Sequence, residues 1–467
     1  MFRFEGVFPA PMARPVPPPS EPLVSLLMVA RDAAAHIDAA LISARRQTLR
    51  EIEIVVVDDG SVDATPAIIR SHAAADPRVI AVPGHGKGLA AVRNLSIAAA
   101  AAPHAAVVDS DDILHPRHAE RLLDLARRTG ADIAAANMIA FGSGMEPALF
   151  APDPPWRRER MIDHAEFVES GRLDRPGVQL GYCKPLFRLD ALRRHGLGYD
   201  PRLRIGEDWD LVERALAAGL TYAYRPEPTY YYRRHAGSTS YRWTPADLHA
   251  LIAAERERLD SGEGSQQLAA ARRARLASLA DVLAHTEAVA HLKARAPFSA
   301  LVPLLRRPRA IGLIGASLRE GLVRRAGALR HQRAAPEAGK EAAHVLLCGE
   351  PAAGSPIALA AALIAASGCK LRRLSASELA EPVAVARAGQ GAALVLIADE
   401  SLADAAAHAI GDGAHFVAET GTRHPLADHL IDTHSCGGLL GMLPVGGRLD
   451  AGRAWRERAE RPSGLAA

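Results

Sequence analysis

Cysteine is scarce in this chain: Cys183, Cys348, Cys369 and Cys436 are the only four in 467 residues, and none forms a C-x-x-C pair. That argues against a structural zinc site and a disulfide scaffold, and fits a reducing compartment. Long apolar runs are missing as well. The nearest candidates, Ile97 to Ala102 and Ile357 to Ala366, are short and alanine-rich, well below the roughly 18 residues that span a bilayer. An excess of one charge is also absent. Lys+Arg number 56 against 53 Asp+Glu, a net +3, which removes any case for nucleic-acid binding on bulk charge. Where a signal peptide would carry an apolar core, the N-terminus has Pro9, Pro11, Pro15, Pro17, Pro18 and Pro19, so residues 1–21 read as a disordered Pro-rich leader. The expected location is the cytoplasm, on the inner face of the cytoplasmic membrane without crossing it.

What is present is a globular balance, with 49% hydrophobic and 23% charged residues and a length suited to about three domains. From Leu23 the chain alternates β-branched or apolar runs with amphipathic segments. Leu23 to Val29, Ile52 to Val57, Arg78 to Val82 and Ala105 to Val108 predict buried strands. His36 to Arg46, a segment opening at Thr65-Pro66, and Leu89 to Ala101 predict helices. Another helix opens near His115-Pro116 and closes at Gly130, followed by a strand from Asp132. This alternation implies an α/β fold with a mostly parallel sheet and a ligand site beyond the carboxyl ends of its strands. Residues 22–243 form that domain. Residues 244–335 read as a helical, basic amphipathic region, 340–450 as a small α/β domain, and 451–467 as a polar tail.

Four motifs carry chemistry. Val55-Val56-Val57-Asp58-Asp59-Gly60-Ser61 delivers acids from a buried strand into a turn, where a carboxylate can accept from a ligand donor. Asp109-Ser110-Asp111-Asp112 crowds three carboxylates behind another strand, an arrangement that a hard divalent cation neutralises. Glu207-Asp208-Trp209-Asp210 opens a helix, where the macrodipole alone already favours acids. Tyr230-Tyr231-Tyr232-Arg233-Arg234-His235 ends an aromatic run with two bases and an imidazole.

Taken in order, with Val24-Ser25, Gln47-Thr48, Glu53, Lys87-Gly88, Arg93-Asn94 and Ser238, these motifs resemble the family 2 glycosyltransferases of the GT-A fold, enzymes of bacterial polysaccharide biosynthesis. The resemblance covers roughly half the chain. It implies that Asp58 accepts from the nucleotide base, usually uracil. Ala30, Asp32, Lys87, Arg93 and Ser110 join the nucleotide site. Asp109, Asp111 and His235 would hold Mn²⁺ or Mg²⁺, and Asp208 would be the catalytic base. Glu207, Trp209 and Tyr182 are acceptor-side candidates, with Trp156, Lys184 and Trp243 as further groove residues. One departure stands in the first-strand loop, which reads Val29-Ala30-Arg31-Asp32 where relatives commonly have Pro-Val-Tyr-Asn.

The implied reaction transfers a sugar, expected from a UDP-sugar, to a hydroxyl of a saccharide or lipid-linked saccharide. One carboxylate takes the acceptor proton while the cation screens the leaving diphosphate, giving inversion in a single displacement. A sugar-phosphate nucleotidyltransferase would need a Gly-rich phosphate loop after the first strand, and Arg31-Asp32-Ala33-Ala34 has no glycine. A non-catalytic nucleotide-sugar-binding scaffold is the other alternative, opposed by the intact acids. Gly349 to Ser355 sits between a strand and a helix but lacks the Lys of a phosphate loop.

From Lys293 to Arg333 ten bases are opposed only by Glu320, with apolar residues interleaved. This reads either as a solvated basic helical pair or as an interfacial anchor on an anionic membrane. Pro303 and Pro308 predict two short segments there.

Overall fold

The computed structural model describes residues 21–84, 86–142, 145–175, 177–235, 243–313, 344–352, 355–366, 370–390, 392–398, 400–409, 415–419 and 429–431. The leader, Ser238, most of the basic stretch beyond 313 and the polar tail lie outside these residues. The chain divides into two compact units, Met1–Leu329 and Arg330–Ala467.

In the first unit, β1 (Val24–Ala30), β2 (Ile52–Asp58), β3 (Val79–Pro83) and β4 (His104–Asp109) run parallel in the order β3-β2-β1-β4. All of β1 except Val29 is buried. That is why these strands read as continuous apolar runs: both faces of a parallel sheet are covered by its crossover helices. These helices are α1 (Ile37–Arg45), α2 (Thr65–Ala75) and α3 (Leu89–Ala99). Val29 pairs with both Val57 and Asp109, so β1, β2 and β4 end level and bring their following acids to one edge. The strand order reverses at β1, the position where open α/β sheets bind ligands.

The second half of the sheet is mixed. β5 (Ile113–Leu114), α4 (His118–Thr129), β6 (Ile133–Gly142), β7 (Met145–Leu149), β8 (Arg160–Ile162), α5 (His164–Ser170), β9 (Leu186–Arg188), α6 (Leu189–Arg194), α7 (Glu207–Ala217) and β10 (Tyr222–Arg233) follow in turn. β9 inserts antiparallel between β4 and β6, β10 lies parallel to β6, and β5 and β8 pair antiparallel with β10. Such three-residue strands leave no periodic trace in the sequence. The predicted fold class, a GT-A-type, mostly parallel Rossmann-like sheet, is the one observed.

Beyond the sheet come α8 (Pro245–Asp260), α9 (Gln266–Lys293) and α10 (Pro297–Arg306). Thr244 and Asp247 form a reciprocal capping box that starts α8, satisfying two end groups of the helix at once. Leu248, Leu251, Ile252 and Leu279 share a small core with Leu203, so α8 and α9 pack onto the sheet domain. Pro303 sits inside α10 rather than ending it. The break falls instead at Arg307, directly before Pro308, the residue before a proline being disfavoured in helical conformation.

The second unit is a parallel sheet ordered β12 (Lys370–Leu374), β11 (His344–Cys348), β13 (Ala392–Ile397), β14 (His415–Glu419) and β15 (His429–Ile431). A helix spans Pro356–Ala366, and the core includes Leu346, Cys348, Val395 and Ile397. Residues 353 and 354 of the loop after β11 lie outside the described residues.

Candidate functional site

A cavity of about 720 Å³ opens at the carboxyl edge of β1, β2 and β4. Its walls include Asp32, Asp59, Arg93, Asp109, Ser110, Asp111, Tyr182, Lys184, Glu207, Asp208, Trp209, His235 and Trp243. Loops after three strands and the first turn of α7 thus converge on one space. Gly206, at φ +83°, precedes α7; the left-handed turn that aims Glu207 and Asp208 into the cavity favours glycine.

Each acid of the Asp109-Ser110-Asp111-Asp112 cluster is met by a different group. Lys184 Nζ lies 2.8 Å from Asp109 Oδ2, and Arg93 donates to Asp109 Oδ1 at 3.1 Å. Burial alone would raise the Asp109 carboxyl, but the two cations outweigh it and hold it down at about 2. His235 Nε2 lies 2.8 Å from Asp111 Oδ2. Asp112 is buried, accepting from the Tyr230 hydroxyl at 2.7 Å and from the Arg233 amide at 2.6 Å. Burial and then Asp111 and Asp109 push the Asp112 carboxyl up. Oxygens of all three aspartates lie within 4.8 Å of one another. The mutual repulsion evident in the sequence is therefore shared out among protein groups. Asp111 and His235 supply an oxygen and an imidazole nitrogen at the open side; the carboxylate oxygen suits Mn²⁺ or Mg²⁺, whereas the nitrogen suits a softer ion than Mg²⁺.

Arg93 is buried and clasps three acids. Besides Asp109, its Nη1 lies 3.2 Å from Asp208 Oδ1 and its Nε 3.5 Å from Glu207 Oε1. Burial would lower this guanidinium, but Asp208 and the other acids keep it firmly charged. Lys184, caught between Asp109 and Asp208 at 3.1 Å from the latter, behaves in the same way: burial opposes its charge, while Asp109 and then Asp208 prevail. Glu207 is pushed up to about 7 by burial and by Asp208, against the pull of Arg93.

Three residues expected in the nucleotide site, Ala30, Asp58 and Lys87, do not line the cavity. Ala30 is buried in the sheet, and Lys87 is exposed on the loop before α3. Asp58 accepts from the Ser61 hydroxyl at 2.5 Å. That hydroxyl accepts in turn from the Asp32 amide at 2.9 Å, and Asp32 Oδ1 accepts from the Val62 amide. Asp58 thus ties the loops after β1 and β2 together. Asp59 is the acid that reaches the wall; it is buried, and its Oδ1 accepts no hydrogen bond among the described residues. The adjacent acids of a strand end point to opposite sides, a choice that the sequence alone leaves open.

Among the acceptor-side candidates, Tyr182 and Trp243 line the cavity, whereas Trp156 packs edge-on against Tyr224 and borders a separate groove. Trp209 touches the cavity but is buried, stacked on Phe167 with ring centroids 5.6 Å apart. On it sits the Arg275 guanidinium of α9, 3.3 Å from the ring centroid. A Cβ on Gly181 would come within 2.7 Å of the same ring. Around Trp209 lies a buried ionic network that sequence reading missed. Arg258 meets Asp210 and Glu213, Arg272 Nη2 is 2.6 Å from Glu213, and Arg275 Nη1 is 2.5 Å from Glu255. Several resemblance motifs prove to be structural. Ser25 donates to Glu53, which also accepts from the Ala101 amide, while Gln47 bridges Ser43, His115 and Ala119. Asn94 exchanges two hydrogen bonds with the Tyr199 backbone.

Residues 25–168 match the family model described as Glycosyl transferase family 2. The succinoglycan biosynthesis protein ExoO of Rhizobium meliloti is 36% identical over 236 residues, which is 50% of this chain and 67% of ExoO. ExoU of the same organism, also a succinoglycan biosynthesis protein, is 38% identical over 43% of this chain and 58% of its own length. Among solved structures, residues 1–349 of Staphylococcus aureus TarS in complex with UDP-GlcNAc align at 14% identity and a TM-score of 0.44, covering 61% of this chain and 92% of that one. The chain belongs to glycosyltransferase family 2.

Proposed function

We propose that this protein is an inverting, metal-dependent hexosyltransferase that moves a sugar from a UDP-sugar to a hydroxyl of a saccharide or lipid-linked saccharide during exopolysaccharide synthesis. The observation that carries the reading is the placement of Asp208. Its carboxylate faces the cavity at the first turn of α7, held by Arg93 and Lys184, and the Asp111–His235 pair lines the same cavity. The names of ExoO and ExoU support the exopolysaccharide setting.

In this reading Asp111 and His235, with Asp109 behind them, hold the cation, which when bound offsets charge on the leaving diphosphate. Asp112 is a positioning residue, since Tyr230 and the Arg233 amide already occupy both its oxygens. Asp59 marks the base end of the pocket, with Asp58, Asp32 and Ser61 shaping that end, Ser110 and Arg93 belonging to the phosphate side, and Lys87 on the exposed loop outside the cavity wall. Asp208 takes the proton of the attacking hydroxyl, a role typically worth about 10²- to 10⁴-fold. Tyr182 and Trp243 flank the acceptor. The lipid-linked form of the acceptor would place the enzyme on the cytoplasmic face of the membrane.

The test is turnover of a panel of UDP- and GDP-sugars by the full-length chain with Mn²⁺, Mg²⁺ or EDTA, with the product anomer read by NMR. Metal-dependent use of a UDP-sugar with inversion is expected. Full activity in EDTA overturns the metal assignment, retention overturns the single displacement, and turnover of GDP-sugars alone overturns the donor.

A further inference from the structure

We propose that the outer face of α10, with the bases that flank it, is a docking surface for an anionic membrane. α10 packs on α9 through Ala300 and Pro303, which are buried. The residues that face away are large and apolar: Phe298 is 85% exposed, Leu305 78% and Leu301 51%. Their spacing of three and then four places them on one stripe of the helix, and Val302 and Ile311 extend the apolar exposure. A solvated basic helix has no use for such a stripe, because each of these side chains favours removal from water.

Charge selects the occupant. Lys293 and Arg295 precede the stripe, and Arg306, Arg307 and Arg309 follow it. No Asp or Glu occurs between Glu287 and Glu320. Arg307 lies 3.7 Å from Asp281 of α9. Lys293, Arg295 and Arg306 pair with no carboxylate among the described residues. A short apolar stripe with bases at both ends matches the boundary of a bilayer, where apolar side chains enter the headgroup region and the bases meet lipid phosphate. No helix among the described residues is long and apolar enough to cross a membrane, so α10 would lie flat on its surface. The inference stands apart from the transferase reading, because it uses no residue of the cavity.

Flotation of the full-length chain with vesicles of equal parts phosphatidylglycerol and phosphatidylcholine, or of phosphatidylcholine alone, tests it at low and high salt. Binding is expected to anionic vesicles and to weaken with salt. F298S/L305S and R306E/R309E should each lower the bound fraction by about tenfold, while thermal melts keep the wild-type midpoint. Failure of wild-type protein to float with anionic vesicles at low salt overturns the proposal. So does unaltered binding by both folded variants, which would place the contact elsewhere. A concentration-dependent dimer that F298S/L305S abolishes would overturn it in favour of a second copy of the chain. Sugar transfer is not part of the readout, so an inactive enzyme that still floats would reject the transferase reading alone.

Discussion

The ammonium of Lys184 stands between Asp109 and Asp208, 2.8 Å from one carboxylate and 3.1 Å from the other. With Arg93 it ties the end of β4 to the start of α7, so the acid proposed for the metal side and the proposed base are fixed relative to each other. Preorganisation of this kind is what lets charged groups act without reorganising during the reaction.

If Asp208 is the base, D208N should leave nucleotide affinity nearly unchanged and cut transfer by about 10² or more. Isothermal titration with UDP alongside initial rates decides the point. An equal fall in both would make Asp208 a binding residue.

The cation prediction separates Asp111 from Asp112. D111A should abolish metal-dependent nucleotide binding with little change in melting temperature. D112A should instead lower the melting temperature, since it removes the buried acceptor of Tyr230 and of the Arg233 amide, a loss of about 1–3 kcal/mol. Matching effects from the two substitutions would argue against this division of roles.

Glu207 links the site to pH. With its folded value raised from 4.5 to about 7, the fold favours the protonated form. Glu207 therefore contributes stability that is complete below about 4.5 and lost as pH rises through about 7. Across that range wild-type stability should fall relative to E207Q by about 1–3 kcal/mol, measured by urea unfolding of both proteins. Buried His118, lowered to about 3 by burial, works in the opposite sense, with stability lost as pH falls. Asp109 titrates near 2, below the window. Neither perturbs the comparison.

The ionic network behind Trp209 should be strongly non-additive. R275M leaves buried Glu255 with only the longer 3.4 Å pair to Arg258 and should cost about 3–5 kcal/mol. Adding E255Q should restore much of that loss, because the uncompensated charge goes with it. Additive losses in urea midpoints would show that the pair is not coupled.

Much of this architecture was legible in the sequence. The strands ending at Asp58 and Asp109, the acid-rich first turn of α7 and the capped start of α8 could be placed because periodicity, helix-end charge and capping are local properties. The direction of a side chain at a strand end is not, and so Asp58 was expected where Asp59 stands. Lys184 is legible as a groove residue, but β9 and the pairing of Lys184 with Asp109 and Asp208 depend on a stretch of short elements whose conformation comes from tertiary pairing. Arg272 and Arg275 carry no local signal of their role, since no sequence pattern shows that α7 and α8 present the buried carboxylates of Glu213 and Glu255 to them.

The family match ends at residue 168, but the contacts that surround the site do not end there. Glu213, Asp210 and Trp209 meet their partners on Arg258, Arg272 and Arg275, well over a hundred positions from the first strand. A fragment cut after Trp243 would keep every acid of the cavity yet lose Arg258, Arg272 and Arg275, leaving Asp210 with Arg214, Glu213 with His164 and the Trp209 indole uncovered on one face. The piece of this chain that keeps these contacts therefore extends through α9, and Arg275 on that helix also lines the cavity that Asp208 faces.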